Sequence, residues 1–452
     1  MQCDMNINVK CSVVILAAGL GTRMKSRTPK ILHKICGKEM LFCVIDEASL
    51  VSDDIHIILF NQSESIINLL STTYKKNKFN IHIQNYNKYP GTAGAIMRDI
   101  GEHTKNLIDV KHEKVLIVNA DTPLIQVSKL KELIENDSIA CVGVLKLNNT
   151  HGYGRVLIED NHIKKIVEER DASDDIKKID VVNAGIYCFD KSILNKFLHA
   201  IDNNNVQKEF YLTDVIELIA RENPVDAIYC NINDFMGVNS KVELVKAEEI
   251  MLDRLRNKAI NNGVILHMPS SIYIEFGTEF IGECEVECGV VLKGNNKIID
   301  SCIKAHSVIE DSTISNSEIG PFARVRPKSL IQDSSIGNFV EVKASKLLGV
   351  KAGHLSYIGD SEINSGTNIG AGVITCNYDG KSKHRTTIGE NVFVGSGVQL
   401  IAPINVESNS IIAAGSIINK NVNDGDLAIS RVRQENKKGF FYSFFGKDKK
   451  RE

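Results

Sequence analysis

The sequence predicts two folds in tandem: a doubly wound, Rossmann-like α/β domain on a mostly parallel sheet, then a parallel β-helix of hexapeptide repeats. Three observations predict them. Over the first 238 residues, short apolar runs such as Val13 to Ala17, Ile55 to Phe60 and Val115 to Val118 alternate with helical stretches. In the last third, Ile388, Val394, Leu400, Val406, Ile412 and Ile418 fall six positions apart without a break, a spacing that neither a helix nor an ordinary strand produces. Between the two regions, Val242, Val245, Met251, Leu252, Leu255 and Ala259 sit among charges at helical spacing, and Gly263 follows. That is a connecting helix ending on glycine. The expected organisation is an α/β domain over 1–240, a helix over 241–262, the β-helix over 263–430 and a tail over 431–452.

The first strand, Ser12 to Leu16, runs into Ala17-Ala18-Gly19-Leu20-Gly21-Thr22-Arg23-Met24 and then Pro29-Lys30. Glycines after a strand let backbone N–H groups approach an anion, and Arg23 with Lys30 supply the positive charge a triphosphate needs. A later strand, Val115 to Val118, ends in Asn119-Ala120-Asp121. That places a carboxylate at the carboxyl end of a strand, where open α/β sheets bind ligands. Asp121 there either caps the following helix or binds magnesium, and the phosphate loop nearby favours the metal.

The six-residue register also appears at Ile274, Phe280, Val286, Leu292 and Ile298, at Ile319, Val325 and Ile331, and at Ile336, Val342 and Leu348. Three such faces make one triangular coil, so residues 263 to 425 allow about nine coils. In known families such hexads wind as left-handed coils, and Gly395, Ser396, Ala413 and Ala414 are expected at their corners. The densest polar cluster is Lys351-Ala352-Gly353-His354-Leu355-Ser356-Tyr357-Ile358-Gly359-Asp360, followed by Asn368 to Gly372. From Thr375 to Thr387 the chain is too polar for a wall and is expected to leave it as a loop, a common place for function. His354 stands there with Tyr357, Asn368, Asn377 and Tyr378, a general base in a polar cleft; His306, more isolated, reads as surface.

A formal net charge of −2, no Trp and 6% aromatic residues argue against a nucleic-acid groove. Eleven cysteines without CxxC pairs read as free thiols in a reducing cytoplasm. Met1 to Lys10 lacks an apolar signal core, and no 18-residue apolar run occurs, so neither secretion nor membrane insertion is expected.

These motifs, with Gly91-Thr92, Gly152-Tyr153-Gly154-Arg155, Val167-Glu168, Asn183-Ala184-Gly185 and Gly237-Val238-Asn239, resemble the sugar-nucleotide pyrophosphorylases over nearly the whole chain. Within them the resemblance is to the bifunctional N-acetylglucosamine-1-phosphate uridylyltransferase/glucosamine-1-phosphate N-acetyltransferase family. It implies a glycosyltransferase-A-like nucleotidyltransferase domain joined to an acetyltransferase β-helix. The implied reactions acetylate glucosamine 1-phosphate with acetyl-CoA and then use UTP to give UDP-N-acetylglucosamine, a precursor of bacterial peptidoglycan and lipopolysaccharide.

By the same resemblance, Leu16, Ala17, Ala18 and Gly19 surround uracil and ribose with Gln84, Gly91 and Thr92, while Gly154, Glu168 and Asn183 hold the sugar. Asp121 and Asn239 hold Mg²⁺, and Arg23 and Lys30 neutralise the transferring phosphate, Arg23→Ala being expected to cut turnover hardest. In the β-helix, His354 is the base, Arg326 and Lys343 grip the sugar phosphate, and Tyr357 and Asn368 hold the sugar. Asn377 and Tyr378 line the junction with the acyl donor; Ala371, Ser396, Ala414 and Arg431 match acetyl-CoA positions. Lys383 is implied to reach a neighbouring subunit, and a homotrimer is implied. The tail lysines Lys437, Lys438, Lys447 and Lys449 to Arg451 either approach CoA phosphates or are solvated.

Three departures stand out. Gln84 lies seven residues before Gly91 where the family has five, Gly91-Thr92-Ala93-Gly94 replaces Gly-Thr-Gly, and Ala120 replaces a glycine. Two alternatives remain at this point. One is a monofunctional sugar-1-phosphate nucleotidyltransferase with a structural or regulatory β-helix, which the polar segments around His354 and Asn377 argue against. The other is a non-catalytic scaffold, which the retention of Arg23 and Lys30 argues against.

Overall fold

The computed structural model describes residues 10–19, 21–74 and 78–446, so Leu20 and the tail residues Lys447 and Lys449 to Arg451 lie outside the described residues. The chain forms two compact units that meet in sequence between Arg254 and Leu255, inside a helix that runs Lys241–Asn261.

The first unit is built on one nine-stranded sheet. Its strands in chain order are β1 (Cys11–Leu16), β2 (Asp54–Leu59), β3 (Asn80–Ile83), β4 (Lys114–Asn119), β5 (Ala140–Lys146), β6 (Arg155–Glu159), β7 (His162–Val167), β8 (Val181–Asp190) and β9 (Asp226–Tyr229). Their spatial order is β6-β7-β9-β5-β8-β4-β1-β2-β3. Strands β1, β2, β3 and β4 pair in parallel, β9 joins β5 in parallel, and β8 runs antiparallel between β4 and β5. The parallel strands read as continuous apolar runs because both sheet faces are covered: Val13, Val14 and Ile15 are all fully buried. Helix α1 (Met40–Ala48) belongs to one core with Val13 and Ile15, and helix α5 (Leu212–Ala220; the helices between are Ser63–Thr73, Val127–Ile134 and Lys191–Leu198) to the other with Val14 and Ile117.

The second unit is a three-walled prism of parallel strands, with ten strands in the first wall, nine in the second and eight in the third. Each coil adds one short strand to each wall. The first wall stacks Ile319, Ile336, Ala352, Ile369, Val394 and Ile412 in strict register. These residues and the matching columns of the other walls form one continuous buried core. The hexad register slips by one residue at several corners, as between Ile298 and Ile303 or Ile309 and Ile314, and one slip falls inside a predicted run: Leu347, not Leu348, is the fully buried residue. Ala344 turns the preceding corner with φ 47°, the wall segment after Val342 is one residue shorter, and alternation then points the earlier leucine inward. The polar excursion is also shorter than the sequence suggests. Thr375 and Cys376 stay in the second wall opposite Leu400 and Ile401, and Thr386 and Thr387 are already back in the third, which leaves 377–385 as the loop. Thr375 is tolerated in the core because its hydroxyl accepts the Gly359 N–H at 2.8 Å.

Because every inward aliphatic is packed above and below, Ile358→Ala should cost the prism about 2–5 kcal/mol, the range for emptying a well-packed site. Denaturant unfolding of the full chain checks this, and a loss below about 0.5 kcal/mol would mean the coil relaxes around the gap.

Candidate active sites

In the first unit, parallel register decides which loops meet. Leu16 lies opposite both Ile58 and Asn119, so the segments after β1 and β4 leave the sheet side by side. The Ala120 N–H donates to Leu16 O at 3.0 Å and the Ala17 N–H to Ile58 O at 2.9 Å. Beside them opens a cavity of about 270 Å³ whose lining includes Leu16, Ala17, Ala18, Gly19, Lys30, Gln84, Gly91, Thr92 and Asp121. Nine positions named from the sequence therefore line one cavity.

Lys30 is the electrostatic centre of that site. Its ammonium forms an ion pair with Asp121 and donates to Asn239 Oδ1 at 3.1 Å, so the carboxylate and the amide oxygen converge on one cation. The Val238 N–H donates to Asp121 O at 2.8 Å, which ties the Gly237-Val238-Asn239 turn to the end of β4. Arg23 lies on the 3₁₀ turn Thr22–Met24, solvent-exposed, and does not line the cavity.

The longer spacing between Gln84 and Gly91 is absorbed by a turn. Tyr89 N–H donates to Asn85 O, and the chain doubles back so that Gln84 Nε2 donates to Tyr89 O at 2.9 Å and Gly91 O at 3.0 Å. The glycine is required there: Gly91 has φ +94°, and a Cβ would lie 2.6 Å from Phe210 O. The contact exists because Phe210 and Leu212 strap this loop, with Phe210 N–H donating to Pro90 O and Leu212 N–H to Thr92 Oγ1. The same fold adds two lining residues that sequence motifs did not single out, Tyr86 and Glu209, joined by a 3.1 Å hydrogen bond. They are 123 positions apart, so no local pattern links them.

Gly154, Glu168 and Asn183 form a second group. Asn183 N–H donates to Gly154 O at 2.9 Å, and a Cβ on Gly154 would stand 3.5 Å from Glu168 Oε2. Strand β8 shifts register between Asn183 and Tyr187, a bulge that re-aims the asparagine. Gly185 makes this possible with φ +75°, in close approach to the Asn119 side chain. Burial pushes the Glu168 carboxyl above its ordinary value, with Asp214, Asp171 and Glu209 adding repulsion while the Thr213 hydroxyl opposes it. Asp214 is pushed up to about 6, first by burial and then by Glu217.

In the prism, coil stacking makes a column at one corner. Gly372 N–H donates to His354 O, Gly397 N–H to Ala371 O and Gly415 N–H to Ser396 O, so His354, Ala371, Ser396 and Ala414 follow one another on successive coils. His354 is exposed. Asn368 lies in the same wall, opposite Lys351. A second polar group lies along the second wall, where Asp360 is the hub. Lys343 Nζ stands 3.4 Å from Asp360 Oδ2, Asn377 Nδ2 donates to the same carboxylate, and Asn377 also reaches Tyr357 OH at 3.5 Å. Arg326 pairs with Glu341 at 2.9 Å. The Lys343 ammonium pulls Lys383 below its ordinary value, two cations held close with one carboxylate between them. Tyr378 and Arg431 are exposed, at the 377–385 loop and after the last coil. The described cysteines are all free, and among the described residues no helix is long and apolar enough to cross a membrane.

A strapped nucleotide-type cavity on an α/β sheet, followed by a hexapeptide prism with its own polar corner, defines a sugar-nucleotide transferase fused to a hexapeptide transferase. Comparison agrees on both halves: residues 12–235 match the nucleotidyl transferase family, and residues 385–420 match the bacterial transferase hexapeptide family. The chain is 50% identical to the bifunctional protein GlmU of Nitratiruptor sp. over 97% of this chain and 99% of that one. It is 53% identical to that of Helicobacter hepaticus over 96% and 97%, and 52% identical to that of Helicobacter pylori over 96% and 99%. The chain belongs to the GlmU family of bifunctional enzymes. It carries the two activities its motifs imply, UDP-N-acetylglucosamine pyrophosphorylase and glucosamine-1-phosphate N-acetyltransferase.

The raised Asp214 gives a pH signature. The native state keeps this proton above the unfolded value of 3.8, so the contribution of Asp214 to stability falls as pH rises from 3.8 to about 6 and is level beyond. Asp214→Asn should remove that part of the decline, read from denaturant midpoints across the interval; identical slopes in both proteins would refute it.

Proposed function

We propose that the α/β unit performs uridylyl transfer and the prism acetyl transfer, with the residues named above in the following roles. The observation that carries the first assignment is the meeting of the phosphate-type loop, Lys30, Asp121 and Asn239 at one cavity. Leu16 to Gly19, Gln84, Gly91 and Thr92 hold the nucleoside of UTP, and Gly154, Glu168 and Asn183 hold the sugar. The sugar 1-phosphate is already an anionic nucleophile, so no general base is needed; its oxygen attacks the α-phosphate and pyrophosphate leaves. Lys30 meets the charge from within the cavity, and Arg23 approaches it from the exposed turn.

Asp121 and Asn239 supply two hard oxygen donors converging on one cation, a set that suits an ion completing its shell with water and substrate phosphates. Bound there, Mg²⁺ would neutralise phosphate charge. Lys30 is already placed to share that task.

In the prism, His354 takes the proton from the amine of glucosamine 1-phosphate as its nitrogen bonds to the acetyl carbon and the carbon–sulfur bond of acetyl-CoA breaks. Arg326 and Lys343 bind the sugar phosphate, and Tyr357 and Asn368 the sugar. Asn377 and Tyr378 meet the acyl donor, whose arm lies along the small-residue column Ala371, Ser396 and Ala414 toward Arg431.

Assembly as a homotrimer fits a further feature. Phe322, Phe339 and Leu355 project from one corner of successive coils, about half exposed, with the two phenyl rings stacked at 5.4 Å. Their sequence neighbours Pro321, Ala323, Asn338, Val340 and Ser356 are uncharged, as in the core of a protein interface. The column ends beside His354, so a neighbouring copy would cover the site that one copy leaves open. The absence of a membrane-crossing helix among the described residues suits a cytoplasmic enzyme.

The test is an assay with glucosamine 1-phosphate, acetyl-CoA, UTP and Mg²⁺, recording free thiol and pyrophosphate separately. His354→Ala should lower thiol release by about 10²–10⁴-fold while pyrophosphate from supplied N-acetylglucosamine 1-phosphate is unchanged. Asp121→Asn should do the reverse and raise the Mg²⁺ concentration needed for half-maximal rate. Loss of both activities in either variant would defeat the assignment.

A further inference from the structure

The two extra residues between Gln84 and Gly91 do more than lengthen a turn. Of the loop residues Asn85 to Lys88, Tyr86 lines the cavity, whereas Asn85, Asn87 and Lys88 are exposed. The Tyr86 ring stacks on Phe60, with centroids 4.9 Å apart and planes 24° from parallel, and Phe60 directly follows β2. Its hydroxyl donates to Glu209 Oε1 at 3.1 Å. One side chain therefore joins three segments beside the cavity: the exit of β2, the loop, and the strap that carries Phe210 and Leu212.

Both ends of this clasp are braced. On the strap, Asn205 Nδ2 donates to Glu209 O at 2.6 Å while Asn205 Oδ1 accepts the Glu209 N–H at 3.2 Å. A Cβ on Gly91 would stand 2.8 Å from Glu209 Cβ, so the strap holds its carboxylate residue beside that glycine. In the loop, Gln84 uses its amide nitrogen on the carbonyls of Tyr89 and Gly91, which engages both of its donors. Its side chain is thereby fixed to the loop, and whatever secures the loop to the strap also secures Gln84. Charge adds a second consequence. A carboxylate free to face a triphosphate repels it, and the Tyr86 hydroxyl occupies one oxygen of Glu209. Burial and then the Glu209 carboxylate raise the Tyr86 phenol above its ordinary value, so Tyr86 remains the donor.

We propose, on the reading that this cavity holds the nucleoside of UTP, that Tyr86 is a positioning residue for that nucleotide, acting through Glu209 to clasp the lengthened loop to the strap and to keep the carboxylate off the phosphates. Removing its hydroxyl leaves Lys30, Asp121 and Asn239 untouched. The loss then falls on binding common to the ground and transition states, which raises KM for UTP and spares kcat.

The test measures pyrophosphate release by the full chain against UTP at saturating N-acetylglucosamine 1-phosphate. Tyr86→Phe keeps the ring on Phe60 and removes only the hydroxyl. It should raise KM for UTP about tenfold, as for a lost hydrogen bond to a charged group. Its kcat and its KM for N-acetylglucosamine 1-phosphate should stay within about twofold of wild type, and the retained kcat shows that the variant is folded. In a Glu209→Ala background the same substitution should move KM for UTP by less than about twofold, because its partner is gone. An unchanged KM for UTP in Tyr86→Phe, a fall in kcat, or an equal rise in both backgrounds overturns the proposal. Gln84→Ala is measured alongside. If it raises KM for UTP and Tyr86→Phe does not, the clasp is wrong and the nucleoside reading stands; if neither does, both are wrong.

Discussion

Parallel strand pairing is the constraint on which both halves of this molecule depend. A parallel ladder leaves all its strands ending at the same edge, so residues far apart in sequence are delivered to one rim. In the first unit this brings Ala17 beside Ala120, and through them the phosphate-type loop beside Asp121. In the prism, repeated each coil, it turns sequence spacing into vertical columns: aliphatics inside, and His354, Ala371, Ser396 and Ala414 along one outer corner. A one-residue slip would reverse which side chains face inward. The prism makes such adjustments at several corners, and at Ala344 the core absorbs one by exchanging Leu348 for Leu347.

Rigid walls then let irregular segments carry chemistry. The bulge in β8 aims Asn183, the left-handed Gly185 permits the close approach to Asn119, and the 377–385 loop leaves the prism only after Thr375 has satisfied its hydroxyl inside the wall. In each case a polar residue interrupts an otherwise apolar pattern at a place where a backbone or side-chain partner is waiting. The two sites also handle charge differently. The cavity of the first unit balances Lys30 against Asp121, whereas the prism crowds Lys343 and Lys383 around the single carboxylate of Asp360. The prism group thus holds more positive than negative charge where the first cavity is balanced.

Much of this was legible in the chain. The six-residue period had no competing explanation, because helices and simple sheets cannot produce it, and the glycine, lysine and aspartate positions around β1 and β4 follow from what a phosphate demands of a backbone. The departures around Gln84 were visible as spacing but not as geometry. Only the turn at Asn85 to Tyr89 shows that two extra residues bring the side chain back to Gly91. Tyr86 and Glu209 carried no pattern of their own, and Asp360, legible only as the end of the polar cluster, becomes a hub through Lys343 and Asn377, both 17 positions away.

By itself, then, the sequence determined periodicity, and with it the two fold types, the inward columns and the residue types able to meet phosphate or accept a proton. These are properties of spacing and chemistry that a linear chain already contains. The tertiary structure decided convergence: that Lys30 meets Asp121 and Asn239, that the Phe210 strap closes over Gly91, and that Asp360 gathers Lys343 and Asn377. Such meetings depend on register between segments tens to hundreds of residues apart. Register is set by the summed packing of whole strands, not by any residue within the motif.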